Sequence, residues 1–179
     1  MKIKVLIAVV TILLVVSITS YAYYKSNYKT LDEAISEANV SMNEIFHMTE
    51  YKGNTIIFYG VDDQLSVGLL EDTLLGYRWS HAVGSKHFNI ENQLLTRSFS
   101  NLHPRDWKSD DELVSLTHGV IYDDAIEHVR IIYKDSSMEA TIINTSKGRI
   151  WYGFSTTTLN YDPEVIRIYE DAAEVSGWY

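Results

Sequence analysis

Residues 44–83 read EIFHMTEYKGNTIIFYGVDDQLSVGLLEDTLLGYRWSHAV, and this stretch decides the fold class. Ile45 to Tyr51 and Thr55 to Val61 are rich in β-branched and aromatic residues, which pack well on a pleated surface. Lys52-Gly53-Asn54 between them is a hairpin signal, because glycine supplies the positive φ that a tight hairpin turn needs. Asp62-Asp63-Gln64 turns the chain again before Leu65 to Leu70. Leu74 to Val83 supplies a fourth strand, with Gly76 as a candidate bulge. Together the four runs predict an antiparallel meander.

The last third carries the same signature. Leu113 to Tyr122, Ile126 to Tyr133, Met138 to Ile143, Arg149 to Phe154 and Val165 to Tyr169 are strand candidates separated by turn residues. In the second of these, Val129, Ile131 and Tyr133 share one face and His128, Arg130 and Ile132 the other. Such closely spaced strands predict a sandwich-like unit. Trp79 and Trp151, each among apolar neighbours, are expected in the core. Gly84 to Arg97 fits strand and helix equally. Asn101 to Glu112 contains Pro104, lacks periodicity and reads as the main loop.

Toward the N-terminus, Thr30-Leu31-Asp32-Glu33 matches the capping box, and Leu31, Ala34, Ile35 and Ala38 share a helical face, so a short helix should run to about Asn39. Before it, Ile3 to Tyr24 is an apolar run led by Lys2 and Lys4. A span needs roughly 20 apolar residues. Tyr21, Tyr23 and Tyr24 followed by Lys25 resemble an interfacial belt and a stop, and Ser17, Thr19 and Ser20 can return their hydroxyls to helix carbonyls. A cleavable signal peptide with Ser20-Tyr21-Ala22 as its cleavage site fits the same residues. Either reading puts the rest of the chain outside the membrane: a single-pass protein of the cell membrane in the first case, a secreted one in the second.

The predicted fold is therefore mainly β with a minor α component. It comprises an N-terminal transmembrane helix, a short helix, an antiparallel meander and a C-terminal sandwich-like β unit. Residues 1–25 form the anchor or signal peptide and 26–30 a linker. Residues 31–179 form an extracytoplasmic domain, either one body or two sub-regions, 31–100 and 113–179.

The net charge is −9. Lys2 and Lys4 precede the first acid, Asp32, so the chain beyond residue 22 carries −11. Such a surface repels phosphate, which argues against nucleic acid as a partner. With no cysteine, disulfides, thiolate catalysis and cysteine-ligated metal are excluded. The domain must be stable through its core alone.

The six histidines, His47, His81, His87, His103, His118 and His128, form no HxH or HExxH pattern, so no metal and no cofactor is expected. The acidic pairs Asp62-Asp63, Asp110-Asp111 and Asp123-Asp124 lack the alternation of a calcium loop. There is no GxSxG or SxxK motif, and Gly84-Ser85-Lys86 lacks the order of a phosphate-binding loop. One feature stands out. His103-Pro104-Arg105-Asp106-Trp107 places His103, Arg105 and Trp107 on a proline-stiffened loop, and Trp and Arg dominate binding hot spots. The bland alternative has Trp107 plugging the edge of the core and Arg105 paired with a nearby acid.

The segments TLDEAISEA, NTIIFYG, LGYRWS and HGVIYDDAIEHVRIIY, at residues 30–38, 54–60, 75–80 and 118–133, carry a resemblance. With the N-terminal anchor they resemble small uncharacterised exported proteins of Gram-positive-type bacteria. The last segment is also similar to a pattern of immunoglobulin-like sandwich domains. The resemblance implies no activity and no site residues. The expectation is a non-enzymatic module, tethered to the membrane by its N-terminal segment, that binds a protein or cell-wall partner at the envelope. An envelope hydrolase using dispersed carboxylates and histidines is the alternative. A small membrane subunit assembling through the Tyr-rich segment is a third.

Overall fold

The structure, a computed structural model, describes residues 2–25, 27–90, 93–169 and 174–176. Among them it has two helices and twelve strands, and every sheet is antiparallel. The chain forms two compact units, residues 1–40 with 72–79 and residues 41–71 with 80–179.

In the first unit, α1 spans Lys2–Lys25. The large apolar side chains of Val5, Ile7, Val9, Val10 and Ile12 to Val16 are exposed along it. Thr11, Ser17 and Thr19 donate their hydroxyls to the carbonyls of Ile7, Leu13 and Val15 at 2.9, 2.8 and 3.0 Å. Among the described residues no helix is long and apolar enough to cross a membrane. The side chains of Tyr23, Tyr24 and Lys25, expected as belt and stop, lie outside the described set, as does Ser26 of the linker. Helix α2, Leu31–Glu37, starts as its capping box predicts: Thr30 Oγ1 accepts from Glu33 N at 3.2 Å. Glu33 reaches back one residue further than expected, to Lys29 N at 3.0 Å. The helix ends before Asn39, which takes φ 52°.

The meander is observed. Strands β1 (Glu44–Tyr51), β2 (Asn54–Val61), β3 (Gln64–Thr73) and β4 (Gly76–His87) form one sheet in sequence order. Lys52 and Gly53, at φ 51° and 70°, make the tight turn between β1 and β2. Gly76 is not a bulge within a longer strand; it opens β4 after the turn Leu74-Leu75.

The central sheet has the order β5 (Ser98–Leu102), β6 (Val114–Ile121), β10 (Gly148–Ser155), β9 (Thr141–Thr145). The third has the order β12 (Glu174–Ser176), β11 (Glu164–Tyr169), β7 (Ile126–Ile132), β8 (Ser137–Glu139). The central sheet is apolar on both faces. Val114, Leu116, Val120, Ile150 and Tyr152 meet Ile56, Phe58, Leu65, Val67 and Leu69 of the meander in one core. Ile121 and Trp151 meet Ile126, Val129, Ile131 and Val165 of the third sheet in another. Side chains alternate along a strand, so β6 feeds both cores and is buried from end to end.

Three expectations need correction. Met138 to Ile143 is not one strand: the chain leaves the third sheet after β8 and enters the central sheet at β9, with Ala140 N donating to Val129 O at 2.7 Å. Asn101 and Leu102 belong to β5, so the loop begins at His103. Trp79 is only half-buried, whereas Trp151 is fully buried with its Nε1 donating to Thr96 O at 3.1 Å. In the ambiguous stretch 84–97, β4 continues to His87, Phe88 is buried just beyond it, Leu95 is buried and bridges to Ile121, and Glu91 and Asn92 lie outside the described residues.

Candidate functional site

Strand β5 brings the chain into the loop at Leu102, which is fully buried in the first core. The next residue is held from both sides of its peptide. His103 N donates to His81 Nδ1 at 3.1 Å, and His103 O accepts from Ser80 Oγ at 3.1 Å. Ser80 and His81 lie on β4. The two imidazole rings sit 3.9 Å apart and tilted by 48°. An Nδ1 that accepts a hydrogen bond leaves the proton of the neutral ring on Nε2. Burial lowers the His81 pKa, and the neighbouring His103 lowers it further.

Two residues on, Arg105 N donates to Glu71 Oε1 at 2.5 Å. Glu71 is a buried carboxylate near the end of β3. The far end of the loop is pinned as well. Glu112 accepts from Lys108 N at 3.0 Å, and Lys52 Nζ donates to the carbonyls of Asp111 and Leu113 at 2.7 and 2.9 Å. Thr158 Oγ1 donates to Asp110 O at 2.8 Å.

Between these fixed ends Arg105, Asp106, Trp107 and Lys108 are exposed. Trp107 keeps 43% of its surface, and its ring lies 5.9 Å from that of His103. It does not plug the core. The Arg105 guanidinium makes no hydrogen bond or ion pair among the described residues. The structure thus keeps His103, Arg105 and Trp107 together, with His103 at the base and the other two at the tip.

His81 and Glu71 complete the loop base and were not foreseen. They lie 22 and 34 residues from their partners in sequence. Spacing carries no trace of such a meeting. The arrangement offers an aromatic face and a directional cation on a fixed backbone, which suits recognition. Ser80 commits its hydroxyl proton to a carbonyl, so it is not poised against either imidazole.

The other histidines serve elsewhere. His47 Nε2 lies 3.0 Å from the Tyr152 hydroxyl, at the rim of the first core. His128 contacts Glu139 on the surface. Beside it an open depression of about 590 Å³ is lined by Asp124, Glu127, Asn144 and Arg149. His118 is fully buried, edge-on to Phe58 with ring centroids 6.5 Å apart. Among the described residues no group of three or more His, Asp and Glu side chains could hold a metal ion. Comparisons of the chain with protein families, with curated proteins and with solved structures return no match.

Proposed function

We propose that this is a membrane-tethered extracytoplasmic module that binds or senses a partner at the cell envelope without catalysing a reaction, and that the loop at residues 103–107 makes the contact. The observation that carries the reading is the exposed Trp107 beside the unengaged Arg105 guanidinium, on a loop whose backbone is pinned at His103 and Arg105. A pre-ordered loop loses little entropy on binding, so its contacts are expressed as affinity.

The tether rests on α1. Its 24 residues extend about 36 Å at the helical rise, against about 30 Å of hydrocarbon. Its exposed apolar side chains cover consecutive positions from Ile12 to Val16 and so every face of the helix, which suits lipid rather than a one-sided core. In sequence the apolar run also takes in Ile3, Leu6 and Ala22, beyond the side chains described.

The test is capture of a partner from crosslinked membranes. Trp107→Ala combined with Arg105→Ala should keep the circular dichroism spectrum and weaken capture. EDTA should change neither. Undiminished capture by the double variant removes this loop from the site. Loss of fold or capture with EDTA points instead to a metal-dependent protein.

A further inference from the structure

Two hairpins in this chain use the same turn. Thr73-Leu74-Leu75-Gly76 joins β3 to β4, and Thr145-Ser146-Lys147-Gly148 joins β9 to β10. In each, the threonine hydroxyl reaches the glycine carbonyl, at 2.8 and 2.6 Å, and the N–H of the third residue, at 3.2 Å in both. In each the glycine has a positive φ, 118° and 136°. The threonine and the glycine build the turn, so the geometry makes no demand on the two residues at its tip.

The second hairpin fills its tip with exposed Ser146 and Lys147, as a turn in water usually does. The first fills it with two leucines. Leu74 has a relative exposure of 105%, the highest of the large apolar side chains described, and Leu75 of 43%. Folding gives no reason for this choice, and water disfavours it.

Where this tip lies supplies a reason. Tyr28 exchanges two backbone hydrogen bonds with Tyr77, at 2.8 and 2.7 Å. Thr73 Oγ1 lies 2.8 Å from Asn27 Oδ1. A side chain at Gly76 would overlap the Tyr28 carbonyl, so the glycine is needed for this approach. The base of the hairpin is thereby tied to Asn27 and Tyr28, three residues or fewer beyond the end of α1 at Lys25. Three residues of chain span at most about 10 Å.

We propose that the Leu74-Leu75 tip is a second membrane contact, inserted into the boundary between headgroups and acyl chains beside the point where α1 leaves the bilayer. This rests on the reading of α1 as the tether. An interfacial apolar tip next to a span needs no affinity of its own for vesicles, because α1 already holds it at the surface. The charged neighbours, exposed Asp72 and Lys29, sit at the hairpin base and beside Tyr28, not at the tip.

The chain has no cysteine, so a single introduced thiol is unique. Leu74→Cys, Ser146→Cys and Leu13→Cys variants of the full chain would each carry an environment-sensitive fluorophore. They would be reconstituted into vesicles of equal parts phosphatidylcholine and phosphatidylglycerol, with and without nitroxide-bearing lipid. The expected result is a blue-shifted label at position 74, quenched several-fold more than the label at 146. Quenching at 13 without quenching at 74 overturns the inference and leaves the tether intact. No quenching at 13 removes the tether itself, and the inference with it. A label at 74 shielded from water but not quenched by the lipid nitroxide assigns the tip to a protein contact and also overturns it.

Discussion

His81 Nδ1 accepts the backbone N–H of His103 at 3.1 Å, and the two rings lie 3.9 Å apart. The bond that holds the loop base therefore exists only while His81 is neutral. Protonation would place a donor against a donor. Burial, then His103, holds the His81 pKa below 6.5. The unfolded chain thus takes up this proton first, and the stabilisation is lost as pH falls below 6.5. Acidification slows intrinsic amide exchange, so the expected signature is a fall in the protection factor of His103 N–H relative to that of Ala140 N–H. His81→Phe should show fast exchange at every pH.

His118 should dominate the acid response of the fold. It is fully buried, and neither ring nitrogen has a hydrogen-bond partner among the described residues. Burial, aided by the charge of Lys86, lowers its pKa from 6.5 to about 4. Between these values the unfolded state binds a proton that the folded state refuses, so stability falls as pH drops from 6.5 to 4. The loss is about 3 kcal/mol by linkage. His118→Leu should remove most of this slope in urea titrations. At neutral pH it should be neutral or stabilising by about 1 kcal/mol, since two unsatisfied polar atoms leave the core.

The two tryptophans should separate in stability. Trp151→Ala empties a site with no exposure and strands Thr96 O, at a cost of about 3–5 kcal/mol. Trp79, half-buried, should cost about 2 kcal/mol as Ala. Thermal melts of both variants decide the order; an equal or larger loss at Trp79 would contradict the burial described.

Gly119→Ala should be among the most damaging single-methyl changes. A Cβ there would overlap the Thr96 carbonyl oxygen and come 2.9 Å from Trp151 Nε1. It would break the Trp151–Thr96 bond, at about 3 kcal/mol. Gly53→Ala meets no atom within 4 Å, but its φ of 70° is strained for alanine, so about 1 kcal/mol is expected. Comparing the two melting curves distinguishes a packing cost from a backbone cost.

What the sequence by itself determined is local. The Lys52-Gly53 turn and the Thr30 cap are set by residues within four positions of each other, as are the alternating faces of Ile126 to Tyr133. The apolar run of α1 and the loop character of residues 103–107 are compositional and were legible too, whereas the exposure of Trp107 was not. What only the tertiary structure decided depends on separation along the chain. Whether an apolar strand is buried on one face or two depends on how many sheets pack against it. That is why β6 could be recognised as a strand but not as the middle of two cores. Leaving one sheet for another at Ala140 keeps the strand pattern on both sides, so Met138 to Ile143 read as one element. His81, Glu71 and His103 meet because β3 and β4 pass beside the end of β5. Pairing between distant strands is fixed by packing and hydrogen bonding across the folded domain, which no spacing of residues records.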